Sequence, residues 1–131
     1  MTTRDLTSND FETTVAENEI VLVDFWAGWC GPCRQFAPVY ERASEAHPDI
    51  VFGKVDTEAE AQLAGAARIT SIPTLMAFKN GVLVFSQPGA LPAAALEELI
   101  AAVRGLDVEA ALRDVEAALR DVEAERERMG A

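Results

Sequence analysis

Trp26-Ala27-Gly28-Trp29-Cys30-Gly31-Pro32-Cys33 is the stretch on which the reading of this chain turns. It holds the only two cysteines among 131 residues. It lies between an apolar run, Ile20 to Trp26, and a segment with helical spacing. A bond across two intervening residues closes a very small loop, and stabilisation from a cross-link grows with the loop it closes. Such a bond does little for stability but can pass readily between oxidised and reduced states. The spacing therefore points to a redox switch at a strand-to-helix turn. A stapling disulfide and a zinc site are the competing readings. Zinc usually takes four ligands, and beyond Cys30 and Cys33 the chain offers only a distant His47, so an intersubunit site would be needed.

Composition narrows the function classes. The chain is long enough for one domain with a true core. Its 22 acidic and 11 basic residues give a formal net charge of -11. That balance repels phosphate backbones and anionic membranes, which argues against nucleic-acid and membrane partners. Met1-Thr2-Thr3-Arg4-Asp5 leads into no apolar h-region, and no apolar stretch approaches the ~20 residues a bilayer requires. The expected compartment is the cytoplasm, where a cysteine pair is more often catalytic or metal-binding than structural.

Outward from the motif, the chain alternates strands and helices. Ile20 to Trp26 is apolar on both alternating sets, the pattern of a central strand covered on both faces, with Asp24 as its one charge. Before it, Thr7-Ser8-Asn9-Asp10 offers N-caps for a short helix from Asp10 to Ala16, preceded by a short edge strand. After it, Pro32 suits a first helical turn. Phe36, Tyr40 and Ala43 carry the helix to Ala46, with Pro38 expected to kink it. His47-Pro48-Asp49 reads as a connector, and His47 as a solvated loop residue without a partner. Ile50 to Val55 is a second strand and Glu58 to Ala67 an Ala-rich helix. Thr74 to Lys79 and Val82 to Ser86 flank Asn80-Gly81, a type I′ hairpin signal. Pro88-Gly89 reads as a turn, and a last helix starts near Pro92 with Leu96, Leu99, Ile100 and Val103 on one face. Helices between the early strands imply parallel pairing, and the hairpin adds an antiparallel edge. The fold class is α/β, with a central mixed β-sheet flanked by helices on both faces.

A repeat follows. The heptapeptide Asp107 to Arg113 recurs identically from Asp114 to Arg120 and begins again at Asp121. Val108, Leu112, Val115, Leu119 and Val122 form one stripe of a helix expected from Asp107 to Arg126. Glu109–Arg113 and Glu116–Arg120 are favourable pairs four residues apart. Two heptads and a fragment fall short of a standard coiled coil, so a helix packed on its domain, a solvated helix and a weak homodimer all remain open.

Leu22 to Cys33, Lys54 to Asp56, Ile72-Pro73-Thr74 and Asn80-Gly81 together resemble the thioredoxin family. The resemblance covers residues 4 to 104. It implies a thioredoxin-fold domain over residues 1–104, followed by a C-terminal helical extension over 105–131. It also implies protein-disulfide reduction by reversible dithiol–disulfide exchange through Cys30-Gly31-Pro32-Cys33. Cys30, at a helix N-terminus where unpaired N–H groups favour a thiolate, is the expected nucleophile. Cys33, one turn on, is expected to be the more buried, resolving thiol. Asp24, a carboxylate in a buried strand, should have a raised pKa and exchange a proton with Cys33, with Lys54 approaching it. Gly31 and Pro32 restrict the loop between the sulfurs, and in the family Gly-Pro accompanies reducing members. Ile72-Pro73 matches the family's cis-proline segment. Trp29, Ile72, Pro73 and Gly89 would then form a shallow apolar rim for an extended substrate chain. Trp26 is expected to pack beneath the site. The implied partners are an NADPH-dependent thioredoxin reductase and oxidised protein substrates, with no bound cofactor and no metal. An oxidant of an oxidising compartment, and a binding subunit without redox turnover, are the alternatives.

Overall fold

The computed structural model describes residues 2–130. Strand β1 (Thr3–Asp5) precedes helix α1 (Phe11–Glu17), β2 (Ile20–Trp26), α2 (Gly31–Ala46), β3 (Val51–Asp56) and α3 (Ala61–Ala66). The hairpin strands β4 (Thr74–Lys79) and β5 (Val82–Pro88) follow, then α4 (Ala93–Gly105) and α5 (Val108–Gly130). The sheet order is β1-β3-β2-β4-β5. The first three strands pair in parallel, while β4 is antiparallel to both β2 and β5. This is the mixed sheet the alternation of elements implies.

β2 is central and hydrogen-bonded on both edges. Its side chains alternate between two cores, as the two-residue period of a strand dictates. Ile20 and Leu22 face α2 and α4, where they meet Phe36, Tyr40, Phe52, Leu96 and Ile100. Val21, Val23 and Phe25 face the other layer with Leu6, Val15, Val55 and Met76. Asp24 falls on the α2 side by the same alternation.

Several element ends differ from the sequence expectation. Asp10 does not cap α1 with its side chain; its Oδ1 instead accepts from the Thr7 backbone N–H at 2.7 Å. α3 starts three residues late because Asp56 Oδ1 accepts from Glu58 and Ala59 N–H groups and holds that segment as a turn. β5 extends through Pro88, which pairs with Thr74, so the expected turn there begins only at Gly89 (φ 105°). An edge strand accepts a proline because its outer N–H is not needed. Asn80 (φ 52°) and Gly81 (φ 81°) make the two-residue hairpin turn.

His47 is not a solvated loop residue. Its side chain is only 18 % exposed, and its Nε2 lies 2.8 Å from Glu97 Oε1 while Arg104 donates to its Nδ1 at 2.9 Å. The ring thus ties the end of α2 to α4, with Nδ1 as acceptor. Arg104 also forks onto Asp49 at 2.7 and 2.9 Å, a bond that holds the Asp49 carboxyl down at about 2. These partners lie 50 or more residues away in sequence, which hid them from a linear reading.

Lys79 supplies an unforeseen join. It is 6 % exposed, and its ammonium donates to the carbonyls of Val103, Arg104 and Leu106, each at 2.8 Å. A cation at a helix C-terminus satisfies orphan carbonyls and meets the negative end of the helix dipole. The start of α5 is thereby fixed to the domain, and Val108 is buried at 5 %. Asp107 caps α5 through Oδ1, accepting from Ala110 N–H at 2.9 Å. Beyond that point the stripe is exposed: Leu112 44 %, Val115 54 %, Leu119 62 % and Val122 55 %. α5 runs to Gly130, further than the stripe pattern suggested. Among the described residues its ion pair is Arg128–Glu125, and the two expected pairs four residues apart are not closed.

One glycine is dictated by packing. A Cβ on Gly53 would overlap Leu6 Cδ1, inside the core. Gly53→Ala is expected to overpack this point and lower stability by about 1–3 kcal/mol, read as a fall in the urea unfolding midpoint at unchanged slope.

Candidate active site

The end of β2 and the start of α2 build the site. Cys30 N–H donates to Ala27 O at 3.2 Å, which folds residues 27–30 into a tight turn. Cys30 is the N-cap of α2, and its Sγ accepts from Cys33 N–H at 3.2 Å. Pro32 lies in the first helical turn, where no N–H is required. Cys30 and Cys33 are joined in a disulfide with Cα atoms 5.2 Å apart.

Both cysteines are buried, Cys30 at 4 % and Cys33 at 2 % exposure. The expected contrast in solvent access is therefore absent from the oxidised pair. The reason is local packing, since Ala27 forms one small buried cluster with both cysteines and Trp26 and Ile72 pack against it. Trp29, by contrast, stands 66 % exposed beside them.

The Ile72–Pro73 bond is cis, and Cys30 Sγ lies 3.8 Å from the Ile72 carbonyl oxygen. In the reduced state that oxygen can accept from the Cys30 thiol. Gly89 N–H donates to Pro73 O at 2.8 Å, which binds the end of β5 to this segment. An open cleft of about 380 Å³ runs alongside, lined by Trp29, Thr57, Ala64, Gly65, Ile69 and Ile72 among others. The expected rim is thus split. Trp29 and Ile72 are in the cleft wall, whereas Pro73 and Gly89 are not. The α3 side of the cleft was not foreseen, because Ala64 and Gly65 read in sequence as ordinary helix filler. A larger apolar hollow of about 550 Å³, lined by Phe11, Leu63, Phe78 and Leu83, touches neither cysteine. Neither cysteine lines the smaller cleft itself, but two of its lining residues, Trp29 next to Cys30 in the chain and Ile72 whose carbonyl lies against Cys30 Sγ, put it beside the pair.

Asp24 is 1 % exposed, and neither carboxylate oxygen has a hydrogen-bond partner. Burial raises its pKa from the usual 3.8 to about 7, against a smaller lowering by the Lys54 charge. Lys54 is the register partner of Asp24 on β3, yet the two form no ion pair among the described residues. Its ammonium instead sits 4.8 Å from the centroid of the Trp26 ring. Tyr40 O–H donates to Gly53 O at 2.8 Å. Burial, and then the Asp24 charge, push its phenol well above its ordinary range. Asp24 and Cys33 make no direct hydrogen bond.

A carboxyl that binds its proton more tightly folded than unfolded favours the fold at low pH. That advantage is full below pH 4 and is lost as pH rises to about 7. The loss corresponds to roughly 4 kcal/mol. Urea unfolding from pH 4 to pH 8 should show this decline in the parent chain and a flatter profile in Asp24→Asn. Parallel profiles would contradict the raised pKa.

The sequence profile of the thioredoxin family matches residues 2–102. A relative from Streptomyces coelicolor is 61 % identical over 107 residues, covering 82 % of this chain and 80 % of the relative. Thioredoxin-1 of Saccharomyces cerevisiae is 40 % identical over 102 residues, covering 78 % of this chain and 98 % of its own length. Among solved structures, a Plasmodium falciparum thioredoxin superposes with a TM-score of 0.69 at 40 % identity, covering 74 % of this chain and 95 % of its own. Another, from Halobacterium salinarum, gives 0.73 at 31 % identity, covering 80 % of this chain and 92 % of its own. Among the described residues no helix is long and apolar enough to cross a membrane. Thioredoxins are reduced by thioredoxin reductase and act on disulfide substrates. With profile, fold and cysteine pair in agreement over most of its length, this chain belongs to the thioredoxin family of thiol–disulfide oxidoreductases.

Proposed function

We propose that this chain is a general protein-disulfide reductase of the cytoplasm, with residues 1–104 as the working domain. The supporting observation is the Cys30–Cys33 disulfide at the start of α2 with an open cleft beside it. Cys30 thiolate attacks one sulfur of a substrate disulfide. A Cys30–substrate mixed disulfide forms and the other substrate sulfur leaves as a thiolate, taking up a proton. Cys33 then gives up its proton and attacks Cys30 Sγ. The second substrate thiolate departs, and the Cys30–Cys33 bond is restored. Two electrons have passed to the substrate. A thioredoxin reductase drawing on NADPH through its flavin returns them, so this chain requires no cofactor of its own.

Asp24 is the acceptor for the Cys33 proton. Its pKa of about 7 lets it take and release a proton near neutral pH. Its two oxygens have no hydrogen-bond partner in the protein, so either can accept from a bridging water. Lys54 limits how far that pKa climbs. Trp29 and Ile72 hold an extended substrate chain in the cleft. Pro73 and Gly89 brace the segment that carries Ile72. Gly31 and Pro32 keep the two sulfurs within bonding reach. In Cys33→Ser the mixed disulfide should persist, and mass mapping of trapped adducts should place them on Cys30. Adducts on position 33 in the reverse variant, Cys30→Ser, at equal yield would overturn these roles.

The extension 105–131 is assigned to weak self-association through α5. The exposed Leu112, Val115, Leu119 and Val122 stripe supports this reading. Sedimentation of the full chain should give a concentration-dependent mass that Leu112→Asp with Leu119→Asp abolishes. A monomer at all concentrations would remove the idea.

A further inference from the structure

The turn that carries the nucleophile has an additional support. Arg34 Nη1 donates to the Gly28 carbonyl at 2.9 Å, and Arg34 N–H donates to Cys30 O at 3.1 Å. The first bond reaches back over the cysteine turn; the second is the opening rung of α2. The guanidinium has no carboxylate partner among the described residues, whose ion pairs are His47–Glu97, Arg104–Asp49 and Arg128–Glu125. What distinguishes Arg34 is where its guanidinium is held, on a backbone carbonyl of the turn that carries Cys30. When the disulfide opens, the turn loses its covalent tie. The Ala27–Cys30 hydrogen bond and the Arg34 latch then remain to hold it.

We propose that Arg34 is a positioning residue for Cys30. It clamps the Gly28 carbonyl so that the turn keeps its shape after reduction, and it holds a fixed positive charge at the turn where the thiolate develops. An opposite charge favours the ionised form of a thiol. This rests on the reading of Cys30 as nucleophile. Because a thiolate loses intrinsic nucleophilicity as its pKa falls, with a slope of roughly one half, the effect on rate changes sign with pH. Below the thiol midpoint the cation speeds the reaction by enlarging the thiolate fraction. Above the midpoint it slows the reaction slightly, since every thiol is already ionised. A residue that merely supported the fold would lower the rate at every pH.

The test is the pH profile of iodoacetamide alkylation of the reduced full chain, with the modified cysteine identified by peptide mapping. In this reaction the thiolate sulfur bonds to the reagent carbon and iodide leaves. Arg34→Gln should raise the midpoint by roughly half to one pH unit and Arg34→Glu by more. Arg34→Lys should stay near the parent. Rates of the Gln variant should fall below the parent at low pH and cross above it at high pH. The shift should shrink in 1 M salt, where screening is strong. Urea midpoints measured alongside separate this from unfolding. Cys30 as the alkylated residue with unchanged midpoints in both the Gln and Glu variants would overturn the role of Arg34 alone. A pH-independent slowing would do the same. Alkylation at Cys33 instead would overturn the reading of Cys30 itself.

Discussion

Everything in this molecule depends on sealing one strand, β2, from water on both faces and both edges. Val21, Leu22, Val23 and Phe25 are fully buried, and β3 and β4 take up the hydrogen bonds on either side. A strand so enclosed cannot slip, because a shift of one residue would exchange its two faces. Its C-terminal end is therefore fixed, and the 27–30 turn and the first turn of α2 inherit that fixity. Cys30 sits where a rigid strand meets the N–H groups of a rigid helix. Redox chemistry needs two sulfurs that stay close enough to rebond once the disulfide has opened, and loops alone would not hold them there.

The same enclosure sets the electrostatics. Asp24 lies within the sealed strand, so burial governs its proton and the nearby Lys54 only tempers it. Lys79 lies at the end of the neighbouring strand in an equally buried place, yet it is satisfied by three helix carbonyls. Two buried ionisable groups thus behave differently. One is fully partnered and acts as a structural rivet between the sheet, α4 and the base of α5. The other is left without hydrogen bonds and is free to change its charge.

Short-range signals were legible in the sequence and long-range ones were not. The two-sided apolar run of β2, the Asn80-Gly81 turn and the Leu96–Val103 helix face are local patterns, and each appears where its pattern placed it. The cysteine pair was legible because a spacing of three residues is itself a geometric fact. The partners of His47 and Lys79 were not, since Glu97, Arg104 and the α4 carbonyls come close only after α4 folds across α2. The α3 wall of the cleft was missed because Ala and Gly carry no chemical signature. The near-equal burial of the two cysteines was missed because the helix-terminus argument places an atom along the chain but says nothing about which side chains lie over it.

The unpartnered Asp24 is the strongest internal argument that the cysteine pair is used rather than merely present. A domain of this size is stable by only about 5–15 kcal/mol. A carboxyl whose ionisation costs several of those is a heavy burden at neutral pH, and an amide or apolar side chain would remove it. Structural stapling gives no reason to keep it, since a disulfide that never opens transfers no proton. A pair that opens and closes must move a proton on and off a buried thiol in each cycle. The thiol is buried, so an acceptor that serves it, directly or through a bridging water, has to be poised between its own two states. A buried acid titrating near pH 7 on the strand that feeds the cysteine turn has that property. On the proposed mechanism, the energetic cost of Asp24 and the redox function are two aspects of the same design.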